Sequence, residues 1–115
     1  FFFFFFLFFE KEKEKMSSSS EELFFECFKS SDEHSVERVR ELVVKGADVN
    51  WENENDDNWT GFMNACYFNR IDTVKYLMTI DTINVNLFRS GSSAFYYACY
   101  FGGNEIVQTL LDDPR

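Results

Sequence analysis

Two segments of the sequence are nearly the same, and the second follows the first at a fixed offset. The first is NACYFNRIDTVKYL at residues 64–77, and the second is YACYFGGNEIVQTL at residues 97–110. A fixed period of about 20 to 50 residues is typical of repeat proteins, in which each unit buries its apolar side against the next. The period therefore constrains the architecture more than local propensity does. The identical pairs are Ala65 and Ala98, Cys66 and Cys99, Tyr67 and Tyr100, Phe68 and Phe101, Val74 and Val107, and Leu77 and Leu110.

The spacing of apolar and small residues predicts two helices in each unit. Within residues 62–78 such residues recur three and four positions apart in two successive stripes, which is the spacing of one side of a helix. A short turn separates the stripes, so each unit is predicted to be a helix-turn-helix hairpin. The first stripe is Phe62, Ala65, Cys66 and Asn69, and the second is Ile71, Val74, Leu77 and Met78.

Residues at the ends of these helices support the same prediction. Thr60 and Ser93 lie where an N-cap belongs, since their hydroxyls can accept from unpaired amides of the first turn. Asn69 and Gly102 lie in the turn between the helices, where one residue must adopt the left-handed conformation. Both pairs have the same offset as the two repeated segments.

Residues 20–115 resemble ankyrin repeats. The family pattern runs roughly G-x-T-P-L-H-x-A-A-x-x-G-H-x-E-V-V-x-x-L-L, and the chain has NWTGFMNACYFNRIDTVKYLM at 58–78 and GSSAFYYACYFGGNEIVQTLL at 91–111. It also has the signature GADVN at 46–50, echoed as TINVN at 82–86. The resemblance implies an all-α fold, an ankyrin-repeat solenoid of stacked helix-turn-helix units with short finger loops.

The chain departs from the family pattern at two positions of each unit. Gly61 and Ala94 replace the usual proline, and Met63 and Tyr96 replace the histidine that normally ties neighbouring hairpins together. We therefore expect the helices to pack as in the family, but without the family's standard hydrogen bonds between units.

The ankyrin-like region, residues 20–115, is predicted to contain three units, at about 20–50, 51–86 and 87–115. In the first, divergent unit the first helix is expected at residues 21–28 after a serine cap. The segment KSSDEHS would form a longer connection than the family normally uses. This unit is expected to act as an N-terminal cap.

The first nineteen residues are predicted to be a low-complexity, disordered segment. They begin with FFFFFFLFF and continue with EKEKEK. Nine apolar residues are too few to span a bilayer, which needs about 20 in a helix. No basic segment precedes them and no small-residue cleavage site follows, which disfavours a secretory signal. We expect residues 1–15 to lie upstream of the true start at Met16.

Charge and cysteine content limit the partners and the compartment. The formal net charge is −9, whereas binding of nucleic acid or of anionic membranes requires clustered Lys and Arg, so neither is an expected partner. The three cysteines form no CxxC pair and no disulfide framework. They favour a reducing intracellular setting, the cytosol or the nucleus.

The sequence contains no motif that predicts catalysis or a cofactor. His34 is expected to be a surface residue of a polar loop, with no partner at a catalytic or metal-binding spacing. Cys66 and Cys99 fall on the small-residue stripes, where a thiol packs as a compact apolar group. Gly102 and Gly103 form a helix-to-helix turn and no phosphate loop. We therefore expect no enzyme activity, no metal and no cofactor.

One acidic segment, WENENDDNW at residues 51–59, has two further interpretations. An EF-hand starting at Glu52 would need glycine at its sixth position and a carboxylate at its twelfth, and these positions hold Asp57 and Met63. We interpret the segment as a solvated finger loop. An acidic contact for a basic partner, through Asp56 and Asp57, and a specific metal site are the alternatives.

The resemblance implies that a partner docks on the concave surface formed by the finger tips and the first helices. Trp59, Tyr67, Ser92 and Tyr100 occupy positions that vary within the family and commonly touch ligands. Tyr and Trp also anchor many interfaces, because each has a large rigid apolar area and a polar group. The alternative is that these rings fill the groove between hairpins. Phe68 and Phe101 are expected to turn back toward the core.

These observations predict a non-enzymatic protein-binding module whose partner is a protein with a basic or mixed-charge surface. A second hypothesis is the substrate-recruiting segment of a larger enzyme, such as a kinase or ubiquitin ligase. A third is a decaying gene-model fragment without function. The chain is expected to be a monomer or a fragment of a longer array. The last unit is expected to leave four apolar residues uncovered unless a further unit or a partner covers them: Ile106, Val107, Leu110 and Leu111.

Overall fold

The computed structural model describes residues 18–28, 33–89, 91–101 and 103–115, and only the backbone of residues 33–35. This part of the chain contains six helices and two small antiparallel hairpins of strands. The helices are α1 (Ser19–Glu26), α2 (Glu33–Val44), α3 (Gly61–Tyr67), α4 (Ile71–Met78), α5 (Ala94–Phe101) and α6 (Asn104–Leu111). The strands are β1 (Glu52–Asn53), β2 (Trp59–Thr60), β3 (Phe88–Arg89) and β4 (Ser92–Ser93).

The helices pack as three hairpins stacked side by side. Within the hairpins α1 packs on α2, α3 on α4, and α5 on α6. Between hairpins α3 contacts both α1 and α5, and α4 contacts both α2 and α6. The first helices therefore form one layer and the second helices another, which confirms the predicted helix-turn-helix solenoid. The strand hairpins β1–β2 and β3–β4 are the fingers that precede α3 and α5.

The predicted stripes form the core between these layers. Ala65 and Ala98 are both fully buried, as are Val74 and Leu77 of α4. A residue without a large side chain at the centre of α3 and of α5 lets neighbouring helices approach closely. Asn69, the fourth residue of the first predicted stripe, is exposed because α3 ends at Tyr67.

The helix ends are formed by the groups that the sequence predicts. The Met63 N–H donates to Thr60 Oγ1 at 3.3 Å, and the Tyr96 N–H donates to Ser93 Oγ at 3.2 Å, so both N-caps are confirmed. Asn69 has a φ of 58°, which confirms its left-handed conformation. Gly102, its counterpart, lies outside the described residues.

We predict that Thr60→Val lowers the free energy of unfolding by about 1 to 2 kcal/mol, because it leaves the buried Met63 N–H unpaired. Valine keeps the shape of the side chain and suits the extended backbone of Thr60. The loss of unfolding free energy therefore reports the contribution of the hydroxyl's hydrogen bond. Urea unfolding followed by circular dichroism gives the value. Thr82→Val, at an exposed threonine, is the control. Equal effects of the two substitutions would contradict the capping role.

Other groups replace the family histidine in linking the units. The Asn50 side chain donates to the Thr82 carbonyl at 2.8 Å and accepts from the Asn84 N–H at 2.8 Å. At the opposite end of the hairpins, the Gly103 N–H donates to Asn69 Oδ1 at 3.0 Å. Asparagine side chains in the loops thus make hydrogen bonds that Met63 and Tyr96 cannot supply from the helices.

The first unit is more regular than the sequence predicts. Helix α1 begins at Ser19, slightly earlier than predicted, and Ser18 Oγ caps it by accepting from the Glu21 N–H. Helix α2 already begins at Glu33, so the prediction that His34 lies in a loop is wrong, and the connection is shorter than KSSDEHS. Residues 1–17 and 29–32, and with them most of the predicted N-terminal segment, lie outside the described residues.

Two predictions about burial in the last unit are wrong. Cys27 and Cys66 are fully buried under the following hairpin, whereas no hairpin of the described residues packs on Cys99, which is exposed. Ile106 is fully buried, since it faces the preceding hairpin. Val107 and Leu110 are half-buried, and Leu111 is 61% exposed, as expected for an uncovered face.

Candidate functional site

Aromatic rings at the C-terminal ends of the first helices contact rings of the neighbouring units. Helices α3 and α5 each end in Tyr-Phe, at Tyr67 and Phe68 and at Tyr100 and Phe101. Because the hairpins stack in register, Tyr67 lies against Phe101 of the next unit, with 4.3 Å between ring centroids. Phe68 packs in the opposite direction, against Phe28 of the first unit, with 4.7 Å between ring centroids.

The first finger adds a tryptophan to this row of rings. Strand β2 places Trp59 against Tyr67 at 5.5 Å and against Tyr97 at 4.5 Å between ring centroids. Tyr100 extends the row by packing on Phe101 at 4.6 Å. The contacts form one continuous surface, which we call the aromatic strip. The aromatic strip consists of Trp59, Tyr67, Tyr97, Tyr100 and Phe101.

Exposure increases from one end of the aromatic strip to the other. Tyr97 is buried, Trp59 and Tyr67 are half-buried, and Tyr100 is 70% exposed. Tyr96 is also largely exposed and stacks on Tyr100 with 6.0 Å between centroids. The inner rings therefore fill the groove between the second and third hairpins, and the outer rings face solvent on a helix that this packing holds in place.

The finger between β1 and β2 is organised by one asparagine. The Asn53 carbonyl accepts from the N–H groups of Asp56 and Asn58, at 3.0 and 2.9 Å, and its side-chain oxygen accepts from the Asn55 N–H at 3.0 Å. Asp57 and Asn58 both have positive φ, at 51° and 60°. Short polar residues tolerate this conformation, which turns the chain back toward Trp59.

The tip of this finger is acidic. Glu54, Asp56 and Asp57 are exposed, and no basic side chain of residues 36–89, 91–101 or 103–115 forms an ion pair with them. Although Asp56 is exposed, surrounding loop atoms remove part of its hydration, and this desolvation, with the nearby charge of Asp57, raises its pKa. Glu52 differs, because Arg89 of the second finger binds it at 2.6 Å.

A metal site at this finger was one alternative interpretation of the acidic segment. Within the described ranges, no three His, Cys, Asp or Glu side chains come together as metal ligands. The finger hydrogen bonds instead run between asparagine and backbone groups. The loop geometry is thus explained without a bound ion.

The match to known families follows the same repeats. A family model of ankyrin repeats, in three copies, matches residues 27–115. This chain belongs to the ankyrin-repeat family. No curated protein matches its sequence. Ankyrin repeats generally mediate protein–protein interaction and are generally non-catalytic modules.

The residues predicted for the ankyrin binding surface lie in three environments. Trp59 and Tyr67 are inside the aromatic strip, and Tyr100 is at its exposed end. Ser92 is half-buried in β4, where it pairs with Arg89 of β3. The two aspartates are at the finger tip. Asp56 and Asp57 lie in the same finger as Trp59, between β1 and β2.

Sequence comparison between the ankyrin repeats missed two rings of this surface. Tyr97 and Tyr96 take the places of Asn64 and Met63 one repeat earlier, so the identical pairs did not mark them. Yet Tyr97 contacts both Trp59 and Tyr67, and Tyr96 extends the exposed end. The run FYY in a first helix is the signal that would have indicated them.

The helices of this ankyrin domain are short. In the described part of the chain, no helix is long and apolar enough to cross a membrane.

Proposed function

We propose that this chain is a non-catalytic module that binds a partner protein through the aromatic strip together with the acidic finger. The partner would present a basic or mixed-charge surface. The observation that carries the proposal is Tyr100, which is 70% exposed yet joined through Phe101 to rings that are fixed between two hairpins. A rigid, exposed ring loses little conformational entropy when it enters an interface.

Charge supports the chemistry of the proposed partner. The finger tip carries three acidic side chains, of Glu54, Asp56 and Asp57, beside the tryptophan of the aromatic strip. Exposed ring faces attract Lys and Arg side chains, and nearby carboxylates strengthen that preference. A basic partner would also associate faster with a chain of net charge −9.

The thiols support an intracellular location for this function, in the cytosol or nucleus. Cys27, Cys66 and Cys99 are all free, and Cys27 and Cys66 are fully buried. Burial raises the pKa of both buried thiols, which keeps them protonated and unreactive. Free cysteines used as core residues suit a reducing compartment.

We predict that Tyr100→Ala weakens capture of the partner by about tenfold or more, since exposed aromatic anchors dominate many interfaces. The immobilised chain is exposed to cell extract with a crosslinker, and retained proteins are compared quantitatively between variants. The free energy of unfolding should change by only about 0.5 kcal/mol or less, because Tyr100 is mostly in solvent.

Tyr76→Ala is the matched control for Tyr100→Ala. Tyr76 lies on α4, in the second layer of helices, where the Arg40 guanidinium stacks 4.6 Å above its ring. Proteins lost with Tyr100→Ala but retained with Tyr76→Ala are those that the aromatic strip binds. If both variants retain the same proteins in the same amounts, or lose them equally, the aromatic strip is not the binding surface.

A further inference from the structure

Two tryptophans flank the first finger, the hairpin of β1 and β2, and both face the layer of first helices. Trp51 immediately precedes β1 and packs on Phe24 of α1, with 5.7 Å between ring centroids. Trp59 of β2 packs on Tyr97 of α5 at 4.5 Å and on Tyr67 of α3 at 5.5 Å. The finger thus directs one indole toward the first hairpin and the other toward the third.

The polar groups of these rings are free to bond to a ligand. In the described part of the chain, the two indole N–H groups and the hydroxyls of Tyr67 and Tyr97 form no hydrogen bond. The buried side-chain atom that lacks a partner there is Arg70 Nε, so the four groups of the rings reach solvent. Even Tyr97, which is only 8% exposed, keeps its hydroxyl accessible. We call these four groups the donor row.

A row of donors on an aromatic surface selects a ligand that has free acceptors. An indole N–H can only donate, and a tyrosine hydroxyl can donate as well as accept. Every residue of a protein ligand carries one strong acceptor, its backbone carbonyl oxygen. The conformation of the ligand therefore decides whether it fits, because that conformation determines whether the carbonyls are already paired.

Among the regular conformations, polyproline II leaves the carbonyls free. A helix pairs its carbonyls internally. A strand needs an exposed edge, and β1 and β2 have two residues each and pair with each other, so they offer little edge for a further strand. A polyproline II segment has no internal hydrogen bonds, and proline-rich segments dock in aromatic-lined grooves. The donor row and its rings fit this conformation best.

The distance covered by the two indoles sets the length of the ligand. Trp51 contacts α1 and Trp59 contacts α5, and α3 packs between these two helices. Packed helices lie about 10 Å apart, so about 20 Å separates α1 from α5. Polyproline II rises about 3.1 Å per residue, so about six or seven residues cross this distance.

The acidic tip of the first finger adds a requirement for charge. Glu54, Asp56 and Asp57 are exposed in the loop that connects β1 to Trp59. Arginine or lysine beside the prolines of the ligand would pair with these carboxylates, whereas an acidic segment would be repelled. The same finger therefore supplies both tryptophans and the charge that distinguishes a basic proline-rich segment from an acidic one.

We propose that the surface formed by the aromatic strip and Trp51 binds a proline-rich segment of about six or seven residues in the polyproline II conformation, with arginine or lysine beside its prolines. The segment crosses the first helices between Trp51 and Trp59, and its carbonyl oxygens accept from the donor row. This inference rests on the proposed function, because it names the ligand of the same surface.

Selection from a phage-displayed library of random dodecapeptides tests the class of ligand. The full chain is immobilised and the retained peptides are sequenced. The retained sequences should be enriched in proline by about threefold or more over the starting library, and they should contain Arg or Lys more often than Asp or Glu.

Tryptophan emission then measures binding of the most enriched peptide, made synthetically. The chain contains two tryptophans, Trp51 and Trp59, so this emission reports on the proposed surface alone. The peptide should change the emission saturably. Replacing its prolines with alanine should weaken binding by about tenfold or more, because the alanine peptide is not preorganised as polyproline II.

Tyr97→Phe tests the donor row without removing a ring. It should weaken binding of the proline-rich peptide about fivefold, a usual loss for one hydrogen bond. Urea unfolding should be unchanged, since the hydroxyl reaches solvent. Tyr76→Phe is the matched control: it removes the same group from α4, in the second layer of helices, and should bind the peptide as the unmodified chain does.

Three results would overturn the inference. Retained peptides without proline enrichment, or no retained peptides, would exclude a polyproline II ligand. Equal binding of the proline and alanine peptides would show that the surface does not select this conformation. Equal binding of the peptide by Tyr97→Phe and by the unmodified chain would show that the donor row is not used.

The capture experiment with Tyr100→Ala decides the proposed function separately. If capture of the partner depends on Tyr100 but the library gives no proline-rich peptide, the chain binds its partner through another kind of segment. The proposed function then stands and this inference fails.

Discussion

Phe62→Ala is expected to lower the free energy of unfolding by about 3 to 5 kcal/mol, because it removes a buried ring from the junction between two hairpins and leaves a cavity. Phe62 is 1% exposed. A chain of this size has a total stability of about 5 to 15 kcal/mol, so the variant should be close to unfolding at ambient temperature.

Phe95→Ala is the internal control, since Phe95 is the same residue at the same place one repeat later. It is 40% exposed, so its loss should cost about 1 to 2 kcal/mol, with no closed cavity. Urea unfolding of both variants gives the comparison, and Phe62→Leu supplies a milder change if Phe62→Ala does not fold. Equal losses at the two positions would mean that the third hairpin is covered as fully as the second.

Gly61→Ala should lower the free energy of unfolding by about 1 to 3 kcal/mol, although alanine ordinarily favours a helix. The added Cβ would lie 2.9 Å from Cys27 Sγ, closer than van der Waals contact allows. Cys27 is fully buried and cannot move aside without disturbing the first hairpin. The clash should therefore outweigh the gain in helix propensity.

A double-mutant cycle with Cys27→Ala isolates the clash in Gly61→Ala. Removing Sγ should recover about 1 kcal/mol or more of the loss, so the two changes together should cost less than the sum of their separate effects. Ala94→Gly is the matched control at the next junction, where a Cβ is already accommodated. It should destabilise through propensity and lost packing. Additive effects of Gly61→Ala and Cys27→Ala would contradict the close packing of α1 on α3.

The sequence predicted the helices well because their signals are local. Thr60 and Ser93 cap α3 and α5, and Asn69 is left-handed, as their positions indicated. Alanines at 65 and 98 had to lie at close contacts between helices, and both are fully buried. These outcomes depend only on spacing along one helix and on the groups within one turn of it.

The sequence was misleading where burial depends on a neighbouring unit. Cys66 and Cys99 are equivalent in the repeat, yet one is fully buried and the other is exposed. Ile106 was expected on the open side and is instead fully buried. Periodicity tells which residues share a side of a helix, but it does not tell which side faces the preceding hairpin or whether a following one is present.

The candidate binding surface was predictable only in part. The sequence predicts equivalent contact roles for Tyr67 and Tyr100, but Tyr67 lies between Trp59 and Phe101, whereas Tyr100 is mostly in solvent. Tyr97 was missed although it contacts both Trp59 and Tyr67. Contacts between rings of different units depend on how the hairpins stack. The sequence of a single repeat does not specify that arrangement.

By itself, the sequence determined the repeat length, the two helices of each unit and their caps, since hydrogen bonding and apolar spacing act within a few residues. Only the tertiary structure decided which apolar residues are covered, which rings join into the aromatic strip, and how asparagines replace the missing histidines as links between units. The physical reason is that a side chain is buried only when another element packs against it, so burial depends on both surfaces. A side chain such as Cys99 has the same local surroundings as Cys66 and differs only in what lies against it.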